Sequence, residues 1–155
     1  MHKTILIITT GENELEALEN ADEFADRLVA DDSGHDYHSP LRFNSKPEDS
    51  GYFFKPKSID DPYSTVHLIT LLNESKARSL EWMRLGIDEL NRMDFDQARI
   101  SFSIATSSET FHVFDYTEWS HNGSPVYDTI ELNKILEWSK DQEIKLWVTG
   151  LDVHF

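Results

Sequence analysis

The chain contains no cysteine. Disulfides, thiol nucleophiles, zinc fingers and iron–sulfur clusters are therefore excluded together, and a reducing compartment is the natural setting. Basic residues are scarce: 14 Lys and Arg stand against 29 Asp and Glu, a net charge of −15. Holding phosphates needs clustered Lys and Arg, so direct nucleic-acid binding is not expected. The same deficit disfavours an anionic membrane surface. Long apolar runs are also missing. Ile5-Leu6-Ile7-Ile8 is too short for a signal-peptide core and far too short to span a bilayer, so a cytoplasmic protein is expected. The six glycines form no phosphate-binding loop, no Gly-x-Gly-x-x-Gly and no Gly-x-Ser-x-Gly turn. Neither a catalytic residue set nor a cofactor is read from the sequence.

What is present is core material. A chain of 155 residues with 39% apolar and 12% aromatic content fits one acidic domain over residues 1–155. Residues 4–9 read as a buried strand. Residues 12–30 read as a helix, with Leu15, Leu18, Ala21, Ala25, Leu28 and Val29 on one face and Thr10 as its N-cap. Residues 31–64 hold four of the five prolines and read as a long loop or lid, with short edge strands near 41–44 and 52–55. A second buried strand is expected over 66–72. Asn73 then caps a helix whose stripe is Leu80, Met83, Ile87 and Leu90. Residues 99–105 alternate as a half-exposed strand, and 110–116 return as its antiparallel partner. Asp128 and Glu131 resemble a capping box opening a third helix. Residues 143–149 alternate as a last strand, and Leu151, Val153 and Phe155 extend the apolar alternation. This order implies an α+β two-layer fold: a mixed, largely antiparallel sheet with about three helices packed on one side.

The charge is unevenly placed. Between Glu12 and Asp36 there are ten acids and one base, Arg27, a local charge of −9. Glu12, Glu16, Glu19, Glu23 and Asp26 recur at steps of four and three, which sets them in one stripe opposite the apolar face. The stripe is about 21 Å long at a rise of about 1.5 Å per residue. Its charge recurs about every 5 Å, against about 3.4 Å along one DNA strand. Like charges at i,i+4 cost about 0.2–0.5 kcal/mol per pair, so helix stability alone does not favour the pattern. A solvated face on an acidic protein would explain it, as would adaptation to high salt. The sharper expectation is a non-enzymatic interaction protein. Its stripe, extended by Asp31 and Asp32, would bind and block a basic, nucleic-acid-binding protein surface. Nucleic-acid mimics made by viruses and antidotes to nuclease toxins act in this manner. Trp82 and Trp147 lie at the edge of, or opposite to, their apolar faces and are expected as exposed aromatics of the same interface.

The alternative is a small metal-dependent hydrolase. Seven histidines accompany the absent cysteines, and imidazole with carboxylate suits several transition metals. The candidate ligands are His35, Asp36 and His38, joined by His112 and Asp115 if the fold brings them together. Their spacing imposes no fixed geometry and lacks the glutamate of the helical zinc motif.

Overall fold

The computed structural model describes residues 2–30, 37–40, 56–121 and 123–154, with backbone alone for His2, Val29, 37–40 and His154. The edge strands expected near 41–44 and 52–55 lie outside the described residues. The sheet is built around β1 (His2–Thr10). Strand β6 (Leu146–His154) pairs with it antiparallel on one side, and β4 (Val113–Tyr116) pairs parallel on the other. Beyond β4 lies the two-residue β5 (Ser124–Pro125). Beyond β6, β2 (Tyr37–Pro40) and β3 (Lys57–Ser58) share one edge, both antiparallel to it. The six strands thus make a mixed, largely antiparallel sheet of the expected α+β class.

Ile5, Leu6, Ile7 and Ile8 of β1 are all fully buried. Alternating side chains of a strand point to opposite faces, so such a strand needs cover on both. Leu6 and Ile8 join one cluster with Leu68, Leu71 and Leu72 of α2 (Pro62–Asn91) and Leu132 and Ile135 of α4 (Thr129–Asp141). Ile5 and Ile7 join a second with Ala21, Phe24, Ala25 and Leu28 of α1 (Glu14–Ala30). Three helices therefore pack on the sheet, the expected number, but they divide between its two faces. The apolar content of β1 on both sides is the reason. A fourth helix, α3 (Phe95–Ala105), packs along α2.

Two expected strands are helical. Residues 66–72 lie inside α2, which starts at Asp61 and not at Asn73: the Asp61 side chain accepts from Tyr63 N, and Pro62 fits the first turn. Residues 99–105 lie in α3, capped by Asp94, whose side chain accepts from Gln97 N. The side that α3 buries is small, Ala98, Ser101 and Ala105, and the larger Ile100 stands exposed. The partner of residues 113–116 is therefore β1, in parallel. In α2 the stripe Leu80, Met83, Ile87 and Leu90 is not the packing face. Ser75, Ser79 and Gly86 are buried instead. The Ser79 hydroxyl donates to the Ala105 carbonyl, and a Cβ on Gly86 would stand 2.9 Å from the Phe102 ring.

The start of α4 is as expected. The Asp128 side chain accepts from Glu131 N, and the Glu131 side chain accepts from Tyr127 N, both at 2.8 Å. Strand β6 runs unbroken through Gly150. It sends Leu146 and Val148 to the α2 and α4 side and Leu151 and Val153 to the α1 side. Among the described residues no helix is long and apolar enough to cross a membrane.

Candidate partner-binding interface

The acidic stripe keeps its helical geometry from Glu16 to Asp26. Glu12 stands just ahead of α1, and Glu16, Glu19, Glu23 and Asp26 lie along it, all exposed. Ala17, Ala21, Ala25 and Leu28 are buried on the opposite side. Leu15, expected in the apolar stripe, is 65% exposed because it lies on another side of the first turn from Ala17, which is fully buried. Thr10 is the last residue of β1 and does not cap the helix. Asn13 does: its side-chain oxygen accepts from the amides of Leu15 and Glu16 at 3.0 and 3.1 Å. Glu16 reaches back to accept from Glu12 N at 2.9 Å, much as in a capping box. The stripe is anchored at its middle. Glu23 is ion-paired with Arg27 at 2.6 Å and accepts from the Tyr116 hydroxyl at 3.0 Å. Phe24 packs against the Phe114 and Tyr116 rings, fixing the rotation of α1 on β4.

The stripe runs into a cleft that the sequence does not advertise. At the carboxyl end of β1, a hollow of about 250 Å³ is lined by Thr10, Gly11, Glu12, Glu16, Glu118, Glu143, Ile144 and Lys145. A neighbouring hollow of about 220 Å³ adds Asn20, Glu23, Tyr116, Thr117 and His121 and shares Thr10 and Glu118. Glu118 follows β4 and Glu143 precedes β6, so topology gathers carboxylates from distant parts of the chain at one end of the sheet. The only cue in the sequence is that each stands next to a strand terminus. The charge there is hostile to an anion and hospitable to a cation.

The aromatic part of the expected interface is corrected. Trp147 is buried, 6% exposed, under the start of α1. Its indole N–H donates to the Gly11 carbonyl at 2.8 Å, and Lys145 Nζ stands 4.2 Å from the ring centroid. Burial follows from the second helix layer: the face of β6 opposite Leu146 and Val148 is covered by α1 rather than open. Trp82 is half-buried on α2, across the sheet from α1, so the fold does not bring it to the stripe. Asp31 and Asp32 lie outside the described residues.

The candidate metal ligands fare as follows. His35 and Asp36 lie outside the described residues, and His38 is described only by its backbone in β2. His112 is held by hydrogen bonds at 3.0 Å from Nδ1 to the Thr4 carbonyl and at 2.9 Å from its amide to the Ser75 hydroxyl. Burial lowers the imidazole pKa to about 4, so the ring is neutral and Nδ1 carries its proton. Asp115 is buried, 1% exposed, and neither carboxylate oxygen has a hydrogen-bond donor in proper geometry. Burial raises its pKa to about 6. The nearby Thr117 and Ser120 hydroxyls pull the other way without reversing the shift. Among the described residues no three His, Asp or Glu side chains stand close enough to share an ion.

Comparison of the chain with protein-family models, with curated proteins and with solved structures finds no match in any of the three.

Proposed function

We propose that this protein binds and blocks a basic protein surface, of the kind that otherwise holds a nucleic-acid backbone. The observation that carries the reading is the continuity of the exposed α1 carboxylates with the Glu118 and Glu143 cleft at the end of the sheet. A ridge and a hollow of one sign, on a helix locked to β4, present a preorganised anionic surface. Such a surface favours fast encounter with a cationic partner and loses affinity steeply with salt. The cleft would receive a Lys or Arg side chain from the partner, and the ridge would follow the groove meant for phosphates.

The test is capture from lysate of the source cell on immobilised protein, eluted by a salt gradient and, in parallel, by duplex DNA or RNA. Recovery of a nucleic-acid-binding protein that either eluent releases, and that the Glu16→Lys/Glu19→Lys variant fails to retain, is expected. Glu23 is left intact because its bonds to Arg27 and Tyr116 hold the helix in place. Equal capture by the variant would sink the reading. Stoichiometric transition metal in the purified protein, lost on His38→Ala, would instead favour the hydrolase.

A further inference from the structure

The α2 side chains that the fold leaves uncovered repeat every three and four residues. Val66, Ile69, Leu80, Ile87 and Leu90 are between 40% and 61% exposed, and Met83 between them is half-buried. With Asn73 and Lys76 they fill eight successive a and d positions of a heptad, six of them apolar. The seam is about 36 Å long. A 3.5-residue repeat of this kind is what one helix presents to another, and it is not the face α2 uses on the sheet or on α3.

We infer that α2 pairs antiparallel with α2 of a second copy of this chain through that seam. Charge selects the partner. Residues 62–105 carry five cations and six acids, a net of −1, while the rest of the chain carries −14. A second copy brings an equally balanced helical surface, and nothing about this face calls for a basic partner. Charge also selects the direction. The sheet meets α2 near its N-terminus, at Leu68, Leu71 and Leu72. A parallel pair would set the two acidic bodies side by side and Lys76 against Lys76. An antiparallel pair puts the bodies at opposite ends.

With the two-fold axis near residue 78, Val66 comes level with Leu90 of the second copy, Ile69 with Ile87 and Asn73 with Met83. Lys76 comes level with Leu80, which its aliphatic stem can cover while the ammonium reaches water. Arg84 falls on the same flank as Glu74 of the second copy, within about 3 Å along the axis. Met93, 71% exposed, comes level with Tyr63, 66% exposed, so the same geometry extends past the helix end.

Sedimentation or light scattering across a roughly hundredfold concentration range reads the mass directly. Twice the 18.0 kDa of the chain is expected, with the association tightening as salt screens the acidic bodies. Leu80→Glu/Ile87→Glu should give the single mass with unchanged circular dichroism, since both residues are exposed, and a melting temperature that no longer rises with concentration. The absence of native cysteine makes direction readable: Val66→Cys/Leu90→Cys should oxidise to a covalent dimer, and Val66→Cys alone should not. A wild-type monomer throughout, a dimer that survives the double glutamate, or cross-linking by Val66→Cys alone each overturns the inference.

Discussion

Asp115 and His112, three residues apart at the start of β4, are displaced from ordinary titration in opposite senses. The Asp115 carboxyl has a folded pKa of about 6 against an ordinary 3.8. Between those values the folded state binds more protons than the unfolded, so this group's contribution to stability falls as pH rises through that window. The His112 imidazole has a folded value of about 4 against 6.5. There the unfolded state binds more protons, and the contribution is lost as pH falls from 6.5 towards 4. The two slopes overlap and largely cancel. Asp115→Asn should unmask the histidine. It is expected to raise the melting temperature at pH 7, by a free energy on the order of 1–3 kcal/mol, with the gain vanishing near pH 4. A variant destabilised at pH 7 would mean that the Thr117 and Ser120 hydroxyls hold the carboxylate charged against its burial. Neither residue's burial is visible in the sequence, where both read as metal ligands conditional on the fold bringing them to others. What hides them is the second helix layer and the β4–β1 pairing, both of them long-range features.

At the scale of elements, the cap of α4 was legible, while the caps of α1 and α2 and the packing faces of α2 and α3 were not. Asp128 and Glu131 stand four residues or fewer from every group they bond, so local sequence suffices. Asp128→Ala should cost about 1 kcal/mol, read as a lower midpoint in urea with unchanged slope; no shift would mean that the helix start is held by packing alone. The first half of α2 shows the opposite case. Its inner side offers Leu68, Leu71 and Leu72 to the sheet, and its outer side offers Val66 and Ile69 to solvent. Apolar residues on both sides erase the helical period and imitate a buried strand. In α3 the buried side is made of Ala98, Ser101 and Ala105, with Phe102 set against Gly86 of α2, while Ile100 stands outside. Small-to-small packing carries no hydrophobic signal, so alternation of Ile, Ser and Phe was all that remained to read. The acidic stripe was legible because a solvent-facing period depends on nothing but the helix itself. The cleft was not, because Glu118 and Glu143 reach it only through strand order.

Across the whole molecule, charge and apolar surface are segregated. One end of the sheet gathers carboxylates from three parts of the chain, and the α2–α3 hairpin is nearly neutral with exposed apolar side chains. Both outer edges of the sheet carry a proline, Pro40 in β2 and Pro125 in β5, which removes a donor where another chain would add itself. The sheet edges are thus blunted against strand addition, and the exposed apolar side chains lie on helices.

The outer edge of β6 has one more consequence. Pro40 faces Leu151 and Lys57 faces Val148, so β2 and β3 run in one direction along the same edge with only two positions of β6 between them, about 10 Å. The registers of β2 and β3 are those of one strand with two residues between them, whereas sixteen residues, 41–56, separate them in sequence. Replacing those sixteen by two should restore one continuous strand and leave the register of the other pairings untouched, apart from the lost burial of Pro56. Amide exchange protection of β1 and β6 matching the parent would establish that segment 41–56 is an addition to the architecture. Collapse of that protection would make it a structural member.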